Sequence, residues 1–373
     1  LAITTGDENT ALGSNAGDAL TTGAYNTLLG YDAASTITTG YGNVVVGREA
    51  MKAAATGVIE NTIVGYTAGN NGSFAADKVV LIGSQAGQGA MESTADGTVA
   101  IGYQAGYALT SGANNIAIGN EALPAATTGG YNTVLGHYAG HDITTASYNT
   151  LIGYGTGSKL VTATSTNNQH NVFVGHVAGV LSTGYDNVIV GSEAGDALTS
   201  GNSNVVIGRN ALSTAQTVTD CVIIGRETGN AIAAGVAAAG VVAIGSFACN
   251  DINSTDANYT IGIGYLAAAN VTSGQKNLAI GYAALEDVTT ADSNTAVGYQ
   301  AGKDLTTGNN NIAIGVGALA THTTGIGNVA IGQGAMTNTD AGDNSNDSDY
   351  NTFIGWAAGN GAWADTKSEY NTV

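Results

Sequence analysis

Residues 306–322, TTGNNNIAIGVGALATH, are followed directly by residues 323–339, TTGIGNVAIGQGAMTNT. Taken alone, the first stretch suggests a nucleotide site, because the apolar run Ile312–Ile314 leads into Gly315-Val316-Gly317-Ala318-Leu319-Ala320 with G-x-G-x-x-A spacing. A dinucleotide loop, however, belongs to one strand, one turn and one helix. Here the same run returns 17 residues later, and again in TTGAYNTLLGYDAASTI (21–37), TSGANNIAIGNEALPAA (110–126), TSGNSNVVIGRNALSTA (199–215) and TTADSNTAVGYQAGKDL (289–305). Gly315 therefore reads as the corner of a repeating unit.

The Gly that closes each apolar run occurs twenty times, from Gly13 to Gly355, and eleven of the nineteen intervals are 17 residues. The longer intervals gain their residues outside the apolar run, as outward loops would. Seventeen residues are too few for a helix-turn-helix repeat, and the frequent Gly, Thr, Val and Ile disfavour helices. Two short strands and two turns fit that length. The expected fold is all-β: a parallel β-solenoid of about twenty coils, continuous over residues 1–373, with a rise of about 4.8 Å per coil and a length of roughly 95 Å.

Within each coil, the Asn that usually opens the run is position one and the marker Gly is position five. Position four is Val, Ile or Leu in all twenty coils, which predicts that it fills the interior, with position two on the same face. Position three should then point outward, yet it is never polar. An apolar outward stripe on a narrow solenoid calls for a cover. The expected interface stripe runs through Ala11, Leu28, Val44, Ala117, Phe173, Ala313, Ala330 and Phe353, and its cover is expected to be identical chains, most simply in a trimer. On this reading Ala330→Asp should break the assembly. Asn opens the run in fifteen coils, among them Asn9, Asn43, Asn132, Asn204 and Asn328, and predicts an amide ladder from coil to coil. Ala stands three residues after the marker Gly in eighteen coils, as a narrow corner would require.

The units TTGNNNIAIGVGA, TTGIGNVAIGQGA and NTAVGYQAGKDLTTG resemble the head repeats of trimeric autotransporter adhesins of the YadA type. They are even more similar to the 17-residue N-T-A-x-G-x-x-A-L-x-x-x-T-T-G arrays of bacterial and phage tail-fibre proteins. The resemblance spans essentially the whole chain. It implies a trimeric, left-handed β-roll serving as an extracellular, cell-surface or virion fibre or adhesin shaft. The array starts mid-unit at Leu1-Ala2-Ile3 and stops within an apolar run at Asn371-Thr372-Val373, an arrangement that fits either a segment of a longer protein or copies joined head to tail into a filament.

Chemistry is sparse. The net charge of -19, from 28 acidic and 9 basic residues, opposes nucleic-acid binding. No apolar run approaches the roughly 20 residues of a membrane helix. Cys221 and Cys249 lack C-x-x-C spacing and read as buried small residues. His137, His141, His170 and His176 have no recurring third ligand, and the dispersed carboxylates form no acid and base pair, so neither an enzyme nor a resident cofactor is expected. Asp340, Asp343, Asp347 and Asp349 form an acidic segment that Ca²⁺ would tolerate, although EF-hand spacing is lacking. Trp356 and Trp363 are candidate contacts for a surface glycan, and Asn71, Asn253, Asn258, Asn270 and Asn346 lie in N-x-[ST] sequons. Three other functions have some motive: glycan binding from the Tyr rows, ice binding from the Thr pairs, and polysaccharide cleavage from other β-helices.

Overall fold

A computed structural model describes residues 6–55, 57–160, 170–233, 235–254, 258–337, 348–361 and 369–373. Two compact units divide the chain, residues 1–186 and 187–373. Unit one contains ten strands, β1 (Thr10–Leu12) to β10 (Val172–Val174), and unit two ten more, β11 (Val188–Val190) to β20 (Thr352–Ile354), each three residues long. Within each unit successive strands pair in parallel and in register, as in Leu278↔Thr295, Thr295↔Ile312 and Ile312↔Val329. Each unit is thus a β-solenoid. No helix among the described residues is long and apolar enough to cross a membrane.

The expected second strand in each coil is absent among the described residues, for a backbone reason. Around the 306–322 coil, positive φ occurs at Asn310 (59°), Gly315 (131°), Gly317 (63°) and Leu319 (53°), and the equivalent sites recur along the chain. A segment that reverses hand every second residue cannot extend. It still satisfies its backbone, because N–H groups bond to carbonyls of adjoining coils: Gly302 N to Ala318 O, Asp304 N to Ala320 O and Thr306 N to Thr323 O, all 2.8–2.9 Å.

Strand parity is the reverse of the expected one. Seven of the eight stripe residues, Ala11, Leu28, Ala117, Phe173, Ala313, Ala330 and Phe353, occupy position three and face the interior of their own coil, where Leu28, Phe173 and Ala330 are fully buried. Val44 lies one place earlier in its run, at position two, and does face outward, 39% exposed; Val45 is the buried residue. Position four is also outward, as at Ile82, Leu135, Ile207 and Ile314. The cause is the Asn at position one. Its side chain turns inward to form the amide ladder, and period-two alternation then places three inside and two and four outside.

That ladder is as expected. Asn311 N and Nδ2 donate to Asn294 Oδ1 (2.8 and 3.1 Å), its Nδ2 also donates to Gly325 O (2.8 Å), and its Oδ1 accepts from Asn328 N and Nδ2 (2.9 and 3.2 Å). Asn311→Ala strands buried groups on both sides and should cost about 2–4 kcal/mol. Native-state hydrogen exchange would register this as faster exchange at Asn328 and its neighbours, whereas an unchanged rate would deny the ladder a structural role. Where Asn is replaced, other donors serve: Cys221 N still bonds to Asn204 Oδ1, and Thr260 Oγ1 donates to Gly274 O.

Two of the interior positions compensate in size in many coils, beside a third that is buried at Leu20, Ile37, Leu109 and Ile143. Leu81, Leu151, Phe173, Ile189, Ile223 and Phe353 at position three are each followed six residues later by Gly, whereas Ala117, Ala279, Ala313 and Ala330 are followed by Leu123, Leu285, Leu319 and Met336. A Cβ on Gly179 would approach the Phe173 ring to 2.7 Å, and one on Gly359 would approach Phe353 to 2.6 Å. Leu123, Leu285, Leu319 and Met336 are buried with φ near 50°. That backbone costs roughly 1–2 kcal/mol for a non-Gly residue, but burying the side chain returns about 1.5–3 kcal/mol, so occupancy wins.

Candidate functional site

Two surfaces stand out, and both follow from the coil geometry. The first is the outward strand face. Positions two and four supply two residues in each of twenty coils, or forty positions; thirty-three are Val, Ile or Leu and seven are Thr, with no charge among them. A protein with a net charge of -19 has kept every one of those charges off this face. Outward-facing Val44, Ile116, Leu135, Ile312 and Ile314 are more than a third exposed.

The second is a groove in unit one at an edge of the coils, about 440 Å³ in volume. Successive coils contribute Glu121, then Tyr138, His141 and Asp142, then Tyr154, Ser158 and Lys159, then Val177 and Val180. Equivalent positions after each marker Gly stack from coil to coil, which is how residues distant in sequence meet. His141 lies between two carboxylates, with Nδ1 2.6 Å from Asp142 Oδ1 and Nε2 3.4 Å from Glu121 Oε2, while Lys159 Nζ donates to Asp142 Oδ2 at 2.6 Å. Burial would raise the Asp142 pKa, but the hydrogen bonds from Lys159 and His141 prevail and hold it below the usual carboxylate value. The sequence points to His141 but not to this partner set. The signal available was the spacing: His141 and Asp142 stand one repeat before Ser158 and Lys159.

Other candidates separate. Asp340, Asp343, Asp347, Trp363 and Asn346 lie outside the described residues, and the Asp349 carboxylate accepts the Ile326 N–H at 2.7 Å. No group of three His, Cys, Asp or Glu residues among the described residues is placed to hold a metal ion. Asn71, Asn253 and Asn270 are exposed, whereas Asn258 is half-buried and accepts from Ala239 N. Both cysteines are buried, and burial pushes the Cys221 thiol to about 11 and the Cys249 thiol to about 12, which removes the thiolate at neutral pH. His322 is fully buried where Leu305 lies one coil earlier, and Asn328 Nδ2 meets its Nε2 at 3.2 Å.

The Tyr rows stack on themselves. Tyr265, Tyr282 and Tyr299 lie 5.4 and 5.1 Å apart within 16° of parallel, as do Tyr131 and Tyr148 at 5.1 Å. Each inner ring thereby covers its neighbour's face, and a sugar would have to displace that contact to stack. Trp356 is 80% exposed. The first Thr of several pairs is occupied as well: Thr21 Oγ1 donates to Thr38 O at 3.1 Å, Thr289 Oγ1 to Thr306 O at 3.2 Å and Thr306 Oγ1 to Thr323 O at 3.0 Å. No known family model matches this chain, and no curated protein does either.

Proposed function

We propose that this chain forms the shaft of an extracellular structural fibre or surface adhesin, in which identical chains, most simply three, associate through their outward strand faces. The observation that carries this reading is position four. It faces solvent in a single chain, yet it is Val, Ile or Leu in twenty of twenty coils. Interior packing does not explain that uniformity, because position four lies on the outward side of the strand whose position three is buried. A charge-free ladder repeating every coil is matched in spacing by another copy of itself. The resemblance to adhesin-head and tail-fibre repeats supports the trimer and the surface location. No catalyst is proposed; in the groove Asp142 is paired with His141 and Lys159.

Ile280→Asp/Ile314→Asp tests the association. Each carboxylate is on the outside of its coil, so the chain should keep its circular-dichroism spectrum while the sedimenting mass falls to that of one chain. Burying two charges at a contact should weaken it at least about a hundredfold. A wild-type chain that is monomeric at micromolar concentration, or a variant with the wild-type mass, would overturn the proposal.

Ice binding, the other reading for an exposed solenoid, is disfavoured because hydroxyls such as those of Thr21, Thr289 and Thr306 are already bonded to neighbouring coils.

A further inference from the structure

We propose that the groove formed by Glu121, Tyr138, His141, Asp142, Ser158 and Val177 binds a neutral carbohydrate of one or two residues. Its volume of about 440 Å³ suits a ligand of that size. The lining is amphipathic in the way a sugar is: Val177 and Val180 offer an apolar patch, while Glu121, Ser158 and the two tyrosines offer acceptors and donors. Lys159 is held 2.6 Å from Asp142, so its charge is already matched. Glu121 is bound more loosely, 3.4 Å from His141, which leaves its carboxylate able to accept hydroxyl hydrogen bonds. Two carboxylates stand against one lysine in the groove, on a chain of net charge -19. Sialylated or uronic sugars would be repelled. A neutral ligand meets no such penalty.

Of the other aromatic surfaces, the Tyr265–Tyr282–Tyr299 row has its inner ring covered on both faces. The groove lies apart from the outward strand face, so the inference does not depend on assembly.

Saturation-transfer NMR on the full chain, with the methyl glycosides of glucose, galactose and N-acetylglucosamine and with lactose and cellobiose, tests it. At least one of these should bind with a Kd in the millimolar range. Glu121→Gln keeps the side-chain volume and should weaken binding about tenfold; Val177→Asn, which suits the positive φ of 47° at that site, should do the same by removing the apolar patch. Ile280→Asp/Ile314→Asp should leave binding unchanged, and the groove variants should leave the sedimenting mass unchanged. Absence of transfer to all five sugars at roughly 20 mM, equal binding by wild type and both groove variants, or tighter binding of glucuronic acid run beside them would each overturn the proposal.

Discussion

Ala330→Asp is expected to melt the coils around β19 (Val329–Ile331), while Ile331→Asp, one residue later, is expected to leave them folded. Ala330 is fully buried, paired in register with Ala313 and Phe353, and shares the interior with Ala335 and Met336. A carboxylate there has no partner and no room. Whether it ionises or takes up a proton, the penalty should be at least about 3–5 kcal/mol. Ile331 points the other way, and its carboxylate would be hydrated in a single chain. Thermal melts followed by circular dichroism separate the two: Ala330→Asp should lose amplitude or melt well below wild type, and Ile331→Asp should melt near wild type once both are compared as monomers. A folded Ala330→Asp chain that merely dissociates would reinstate the opposite parity.

Gly298→Ala should be comparably damaging, although it adds a single methyl group. Gly298 has φ 142°, and a Cβ built on it would lie 2.5 Å from the carbonyl oxygen and 2.7 Å from the carbonyl carbon of Gly315 in the next coil. Both contacts are with backbone held by the ladder, since Gly315 N donates to Val297 O at 2.8 Å and so cannot withdraw without losing that bond. The strained backbone and the clash together should cost about 4 kcal/mol or more. Gly317→Ala is the control, because Gly317 has φ 63° and a Cβ there would meet nothing within 4 Å. Its cost should be about 1 kcal/mol. Denaturant titration of both variants would show the contrast; equal destabilisation would mean that coil-to-coil approach is not what selects Gly at the marker. The G-x-G of the opening stretch thus contains two glycines with different duties, one demanded by contact and one by backbone hand alone.

The groove was partly legible. Glu121, Tyr138, His141, Asp142 and Lys159 fall at the second, fifth or sixth place after a marker Gly, so stacking in register predicts their proximity. Distances and enclosure were not legible, because they depend on how the edge segments of four coils sit against one another. The size exchange between position three and the residue six places later was also present in the sequence. Ala313 with Leu319 and Phe173 with Gly179 already mark position three as interior.

By itself the sequence determined the repeat length, the class of fold, the parallel in-register stacking and the Asn ladder, because each depends on a pattern that recurs with every coil. The tertiary structure alone decided that each coil has one strand where two were expected, and it fixed the inside face of the three-residue strand, which in the sequence only the size exchange marks. A run such as Ile312-Ala313-Ile314 is apolar on both faces, so hydrophobicity is silent on direction. The direction comes from the corners: the inward Asn amide before the run and the positive-φ Gly after it turn the chain, and the side chains between them follow.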